Sequence, residues 1–315
     1  MWLLSTVLLS LASVVSRRIV RIAVVIPHYD DPRLEQALAS VAAQTRPADE
    51  VIVVDDGSPR LPWPSARVRI LSTPRPRCGP AIARNIGVRA ATADVVAFLD
   101  ADDLFLPMKL EHQADAMERT GAAWSYTDCR YLGSRGVFRR PNSWFHGWPG
   151  ALPSGRAIHQ AHLQGHNFIT MSSVMVRRAV CPVFDPALPV SEDWDAFVRL
   201  AEDYDGVAVN EVLHLYRLHP AGGRHYRALA DYERVNLAIL RAAHERAHLP
   251  AGRFRAAADR VRQRAAIQHL NAGRGQDARH LLEDQWSARS LVLGLLSYSP
   301  PAYRLALRLW CGEWL

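Results

Sequence analysis

The sequence predicts an α/β fold with a mostly parallel central sheet, extended at its C-terminus by helices. Three observations carry this. Strand and helix patterns follow one another over the first hundred residues in the order strand, helix, strand, strand, helix, strand. Two of those strands run into acidic loops, "VIVVDDGSP" and "DVVAFLDADD", and the carboxyl ends of strands are where open sheets of this kind bind ligands. From about residue 226 onward the pattern turns helical and rich in Ala and Arg.

Each element has its own signal. "RIAVVIPHYDD" opens as a strand of β-branched residues and breaks at Pro27. In "PRLEQALASVAAQ", Leu34, Ala37, Leu38 and Val41 fall at i, i+3, i+4 and i+7, the apolar stripe of an amphipathic helix. "EVIVVDDGSP" is a second strand closed by a loop signal, and "ARVRIL" a shorter third. "GPAIARNIGVRAAT" reads as a helix and "DVVAFLD" as the fourth strand. Residues 130–166, rich in Gly, Pro, Trp, His and Arg without clean periodicity, are expected as a long loop lining the site. "NFITMSSVMVRRA" reads as strand, "SEDWDAFVRLAEDY" as a helix capped by Ser191, and "GVAVNEVLHLYRLH" as strand. A helical turn is expected at Asn271–Gly275, and no internal repeat stands out.

Composition bounds the function. The chain has 315 residues, 49% of them hydrophobic and 22% charged, enough for a sizeable core. A net charge of +7 favours anionic ligands or surfaces, but the basic residues are scattered, mostly Arg, and form no stripe interleaved with aromatics. Nucleic acid is therefore not expected as a partner. Cys78, Cys129, Cys181 and Cys311 lie far apart with no C-x-x-C spacing, which argues against zinc and a disulfide framework and for a reducing compartment. The stretch "MWLLSTVLLSLASVV" is short for a membrane span and carries Arg17 and Arg18 after its apolar run, not before it. It reads first as a membrane-touching or upstream-start extension, then as a short signal-anchor, and last as a cleaved signal.

Three acidic clusters carry the chemistry. In "LDADD", closely spaced carboxylates need a cation or hydrogen-bond donors to stay ionised, and oxygen-only ligation suits Mg²⁺ or Mn²⁺ shared with a phosphate. The competing reading makes Asp102 and Asp103 the cap of a helix beginning near Pro107. In "VVDDGSP", Asp55 and Asp56 suit a turn before Gly57, a reading favoured for one of the two, while a carboxylate held at a strand end can instead accept from a base N–H. In "SEDWDAF", Glu192, Asp193 and Asp195 suit a helix N-terminus, or else supply a general base.

Taken together, "VVIPHYDD", "VIVVDDGSP", "GPAIARNIGVRAATADVVAFLDADD" and "SEDWDAFVRLA" resemble, in order and spacing, the landmarks of inverting family 2 glycosyltransferases of the GT-A fold, over roughly residues 20–225. The resemblance implies that Pro27 and Tyr29 border the nucleobase and ribose, that Asp56 accepts from the base, and that Arg84 and Asn85 face the nucleotide pocket. It implies Asp100 at the ribose or behind the metal, Asp102 as ligand to Mg²⁺ or Mn²⁺, and Asp193 as catalytic base. In "YRLHPAGG", Arg217 or His219 would meet the diphosphate or the metal. Trp194 would stack on an acceptor sugar or pack in the core. Where the family often has Gly-Gly before "FD", this chain has Cys181-Pro182-Val183, which leaves the shape of the loop leading to Asp193 open.

The expected organisation is an apolar segment 1–18, a GT-A domain 19–225 and a helical region 226–315. The expected activity is metal-assisted transfer of a sugar from a nucleotide-diphosphate donor, UDP-sugar favoured, to a hydroxyl of a glycan or lipid-linked acceptor. Cytoplasmic placement follows from the scattered cysteines, and the basic balance with the Arg-flanked apolar ends points either to contact with the inner membrane face or, equally, to packed terminal helices. The alternative is a non-catalytic sugar-nucleotide or glycan-binding module with a degenerate site.

Overall fold

The computed structural model describes residues 20–60, 67–133, 136–138, 151–218, 229–283, 285, 288–299 and 301–303. The apolar segment 1–18, His219, residues 139–150 of the expected loop and the end of the apolar C-terminal stretch lie outside the described residues.

The first half of the sheet holds the four strands read from the sequence. They are β1 (Ile22–His28), β2 (Glu50–Asp55), β3 (Arg69–Ser72) and β4 (Val95–Phe98), all parallel, in the order β3-β2-β1-β4. The two expected helices are α1 (Leu34–Ala42) and α2 (Pro80–Ala90), joined on the sheet by α3 (Lys109–Thr120). Alternation along β1 sends its side chains to both faces. Ala23 and Val25 join a core with Ala81 and Ala83 of α2. Ile22, Val24 and Ile26 join a second core with Leu34, Ala37 and Val41 of α1 and Leu110, Ala114 and Met117 of α3. A sheet covered on both faces explains why these strands read as unbroken apolar runs.

The second half is mixed. It comprises β5 (Leu104–Phe105), β6 (Trp124–Gly133), β7 (Gly136–Phe138), β8 (Met175–Arg177) and β9 (Gly206–Arg217). The sheet continues β4-β8-β6-β9-β5, with β8 antiparallel to both neighbours and β6 parallel to β9. Two expectations are corrected here. The strand read from "NFITMSSVMVRRA" shrinks to three residues behind a 3-10 turn, Met171–Ser173. There the Ser173 hydroxyl donates to Thr170 O at 2.6 Å, a local bond that competes with a strand ladder. The expected loop at 130–166 contains the end of β6, then β7, and a helix, α4 (Arg156–Leu163). Its buried Ile158, Ala161 and His162 are spaced as a helix face, but histidine at two of its buried positions hid the apolar stripe from the sequence pattern.

Between β8 and β9 lies α5 (Glu192–Asp203), and after β9 come α6 (Leu229–Arg246), α7 (Ala251–Asn271), α8 (Gly275–His280) and α9 (Ala288–Leu296). The turn expected at Asn271–Gly275 separates α7 from α8. The larger hairpin, α6–α7, packs on α4 and α5. Leu163, Trp194 and Val198 meet Val235, Ile239, Leu240, Ala243, Ala257, Ala258 and Val261 in one cluster. No described helix is long and apolar enough to cross a membrane.

Docking of the hairpin depends on Gly165, just after α4. Its φ is +79°, and a Cβ there would lie 2.6 Å from the main-chain oxygen of Ala257. Left-handed strain and a clash with backbone add, since a carbonyl in a helix cannot swing aside. Gly165→Ala should lower stability by about 2 kcal/mol or more. Denaturant unfolding measures it, and a change within experimental error would show that α7 does not sit this close.

Candidate functional site

The ends of β1, β2 and β4 come level at one edge of the sheet, where Pro27 pairs with Val54 and His28 with Asp55. Tyr29 follows β1, and its hydroxyl accepts from Arg77 Nε at 2.8 Å while the Arg77 guanidinium lies 5.4 Å from its ring centre. Pro27 and Tyr29 thus stand at the strand-end edge, as expected.

The aspartate pair after β2 divides its work. Asp55 forms the turn, accepting from Gly57 N, Ser58 N and the Ser58 hydroxyl. Asp56 is buried and accepts from the Thr73 hydroxyl at 2.8 Å, Cys78 N at 2.7 Å and Gly79 N at 2.8 Å. It therefore fastens the loop that leads into α2. Gly57 permits this fold of the chain, because its φ is +85° and a Cβ would lie 2.5 Å from Pro76 Cβ.

Arg84, on the buried face of α2, is the centre of the site. Its Nη2 donates to Asp100 Oδ1 and its Nη1 to Glu192 Oε1, both at 2.8 Å, with the guanidinium side chain 5% exposed. Burial works against the charge, but Asp100 and Glu192 more than offset it, so the guanidinium is held more firmly protonated than usual. Asn85, expected to face the nucleotide pocket, instead clamps the backbone of Phe184 through Phe184 N and O, at 2.9 and 2.7 Å. This two-bond clamp sets the loop that the Cys181-Pro182-Val183 departure had left open.

The acidic triplet is resolved residue by residue. Asp100 bonds Arg84, and removal from bulk water, helped by Asp102 and Glu192, raises its carboxyl above the usual range against the pull of Arg84. Asp103 is buried. It accepts from the Ser172 hydroxyl at 2.6 Å and Arg217 N at 2.7 Å, and burial with two neighbouring carboxylates pushes it well up. Asp102 lies 4.0 Å from Arg33. The helix-cap alternative for Asp102 and Asp103 is overturned: α3 begins at Lys109, Met108 holds the N-cap position with no side-chain cap, and β5 intervenes. Arg217 pins the same loop, with Nε donating to Asp102 O at 2.7 Å and Nη2 to Gln36 at 2.9 Å.

Asp193 opens α5. Its Oδ1 accepts from Trp194 N at 2.7 Å. Burial and the adjacent Glu192 push its carboxyl up to about 7, against the pull of Arg84. Ser191 stands at the N-cap position but makes no capping bond. Its φ of +60° is left-handed instead, so the expected cap is corrected to a strained turn in front of Asp193. Trp194 is core: it is buried, and its indole N–H reaches His162 Nδ1 at 3.2 Å.

The structure thus brings together Arg84, Asp100, Asp102 and Asp193, with Asp56, Pro27 and Tyr29 along the adjoining edge. Sequence reasoning missed Glu192 as the second anchor of Arg84, and Ser172, whose hydroxyl accepts from Asp100 N at 3.0 Å and donates to Asp103. Glu192 had a signal, its place beside Asp193. Ser172 had none.

The sheet carries acidic loops at its strand ends, and the architecture is that of the GT-A fold. The chain belongs to glycosyl transferase family 2, whose family model matches residues 23–181. It is 33% identical over 138 residues to a glycosyltransferase of Rickettsia bellii, covering 41% of this chain and 20% of that one. It is 26% identical over 123 residues to the UDP-Glc:alpha-D-GlcNAc-diphosphoundecaprenol beta-1,3-glucosyltransferase WfgD of Escherichia coli, covering 37% and 48%. The chain spans about a fifth of the length of the Rickettsia relative. Among solved structures, S. aureus TarS 1–349 in complex with UDP-GlcNAc superposes with a TM-score of 0.59 at 15% identity, over 91% of this chain and 92% of that one, a likeness of fold.

Removing Arg84 leaves Asp100 and Glu192 facing each other unpaired. Arg84→Met should therefore cost about 3–5 kcal/mol of stability. Arg84→Lys should recover only part of it, since an ammonium lacks the fork that reaches both carboxylates. Urea unfolding of both variants measures this, and wild-type stability in Arg84→Met would show that the bridge contributes nothing.

Proposed function

We propose that this protein is an inverting glycosyltransferase that moves a sugar from a nucleotide-diphosphate donor, a UDP-sugar, to a hydroxyl of a glycan or lipid-linked acceptor. The observation that carries the reading is Asp193: a carboxyl pushed up to about 7, beside the Arg84–Asp100 pair at the ligand-binding edge of the sheet. A carboxyl that titrates near neutrality takes a proton more readily than an ordinary carboxylate and is ionised as pH rises above about 7. The UDP complex of the TarS fold and the UDP-Glc donor and diphosphoundecaprenol-linked acceptor in the name of WfgD support the donor and acceptor classes.

In this reading the nucleotide lies along Pro27, Tyr29 and Asp56. Asp56 already serves three donors, so a base N–H takes a remaining lone pair on a carboxylate that is held in place beforehand. Mg²⁺ or Mn²⁺ fits at Asp102. The oxygen-only donor set suits a hard cation, and the described residues hold no cluster of three or more ligating side chains, so diphosphate and water would complete its shell. Such a cation supplies neutralisation of the leaving diphosphate. Arg84 keeps Asp100 oriented beside it. Asp193 takes the proton from the acceptor O–H as that oxygen forms its bond to the anomeric carbon. The bond from that carbon to the diphosphate oxygen breaks on the opposite side, and the configuration inverts.

Peripheral membrane contact belongs to the same proposal. Leu291, Val292 and Leu295 of α9, with Tyr298 beyond it, are exposed, and the net charge of +7 suits an anionic surface. Leu293 on the same helix is buried against Ala266, Ile267 and Leu270, so the helix also packs.

Calorimetric titration of UDP, GDP and dTDP, each with and without Mn²⁺, into wild type and Asp102→Asn tests the donor half. Tight binding of UDP that needs Mn²⁺ and weakens in the variant is expected. Binding of none of them by folded wild type would falsify the transferase reading. Asp193 must be ionised to work, so transfer should fall as pH drops through about 7. Asp193→Asn should abolish turnover while leaving UDP affinity intact; a pH-independent rate between 6 and 8, roughly a unit either side of a carboxyl that titrates near 7, would remove Asp193 from the role.

A further inference from the structure

Residues Asp100 to Asp103 form a tight turn, closed by Asp103 N donating to Asp100 O at 3.0 Å. Ala101 and Asp102 are its two central residues, so the direction of the Asp102 carboxylate follows from how the turn is held. Two arginines hold it from one side and from below. Arg84 bonds the Asp100 carboxylate, while Arg217 reaches Asp103 through its backbone N and Asp102 O through its Nε. A third hold is a single hydroxyl. Ser172 Oγ accepts from Asp100 N at 3.0 Å and donates to Asp103 Oδ2 at 2.6 Å, and so spans the first and last residues of the turn.

The segment that carries Ser172 is itself tied to three elements. From α3, the Lys109 amine, bonded also to Gln113 Oε1, and Gln113 Nε2 both donate to Ser173 O, at 3.3 and 2.9 Å. Toward β9, the Thr170 hydroxyl bonds His214 Nε2 at 2.8 Å. Toward β4, Val174 O accepts from Phe98 N at 3.2 Å. Lys109, Gln113, Ser172, Ser173 and His214 are all buried, and buried polar groups are costly unless their bonds are kept. The 3-10 turn therefore resists displacement, and the Ser172 hydroxyl meets the acidic turn at a set position.

We propose that Ser172 is the positioning residue of the acidic turn: its hydroxyl fixes the aim of Asp102, and the buried Lys109–Gln113 pair fixes that hydroxyl. This rests on the donor reading above, in which Asp102 takes the divalent cation. Ser172 touches neither cation nor substrate here and acts through Asp100 and Asp103. A carboxylate meets a hard cation more tightly when the bonds behind it set its direction, and partners of that kind contribute about ten- to a hundredfold in metal affinity. Without the hydroxyl, Asp100 N and Asp103 Oδ2 lose their shared partner, and Asp102 takes up a wider range of directions.

The test is calorimetric titration of UDP, with and without Mn²⁺, into wild type, Ser172→Ala and Ser173→Ala. Ser173→Ala is the matched control. Its hydroxyl lies one residue on in the same 3-10 turn and donates to Thr170 O, and the carbonyl held by Lys109 and Gln113 is retained. Each variant loses one buried hydroxyl, so a merely structural role would move both alike. In Ser172→Ala, Mn²⁺ should tighten UDP binding about tenfold less than in wild type, with affinity for UDP alone unchanged. In Ser173→Ala both affinities should stay at wild-type values. If Ser172→Ala does not fold, Ser172→Cys, similar in shape with only a weak donor, carries the same expectation. Wild-type Mn²⁺ dependence in the folded Ser172 variant, or an equal loss in the Ser173 control, overturns the inference and leaves the donor reading standing. Wild type that binds UDP regardless of Mn²⁺ removes the cation from that reading and this inference with it. Wild type that binds no UDP removes the transferase reading as well.

Discussion

The fold's site depends on one buried cation. Arg84 sits on a helix that packs against β1, yet its two ends reach Asp100 at the tip of β4 and Glu192 at the start of α5. Two carboxylates taken out of water at neighbouring positions would repel each other and stay costly to bury. A planar guanidinium with parallel donors is the side chain that satisfies both at once. Because it does, the strand-end loop and the helix bearing Asp193 are held in one frame, although the residues bridged lie 16 and 108 positions away. The strain at Ser191 is carried within the same frame.

The first half of the fold was legible because local signals there are strong and agree with one another. β-branched runs ending in acidic turns gave β1 to β4, and the i, i+3, i+7 stripe gave α1. The second half was harder for a physical reason: its elements are stabilised by polar side chains inside the core. Lys109 is fully buried, bonded to Gln113 and to Ser173 O, and Gln113 in turn reaches Ser125 and Ser173 O. His214 is buried between Thr127 and Thr170. Such residues read as surface or loop in a hydropathy pattern, so the ten-residue β6 and the helix α4 were hidden. In the site, Asp56, Asp100, Asp102 and Asp193 were singled out by the family resemblance of their motifs, not by any local pattern. Partners did not show, since nothing local couples Arg84 to Glu192 or Asn85 to Phe184.

The acidic triplet shows how one short stretch holds three environments. Asp103 is fastened to Ser172 and to the backbone of Arg217; Asp100 is bonded to Arg84; Asp102 lies 4.0 Å from Arg33. Ser172 couples the first two, accepting from the backbone of one and donating to the carboxylate of the other. Arg84, Ser172 and the backbone of Arg217 thus offset part of the repulsion within the triplet and tie its loop to three other elements.

The hairpin's grip on the rest of the molecule has an evolutionary side. His244, Arg260 and Arg264 hold carbonyl oxygens of the main chain, at Leu163, Gln164 and Asn167. A carbonyl is present whatever side chain its residue carries. The sequence of that loop can drift, one substitution after another, while the three grips persist, so long as Gly165 keeps the chain close to α7. Selection can therefore change the side chains of that loop without having to rebuild how the helices are attached.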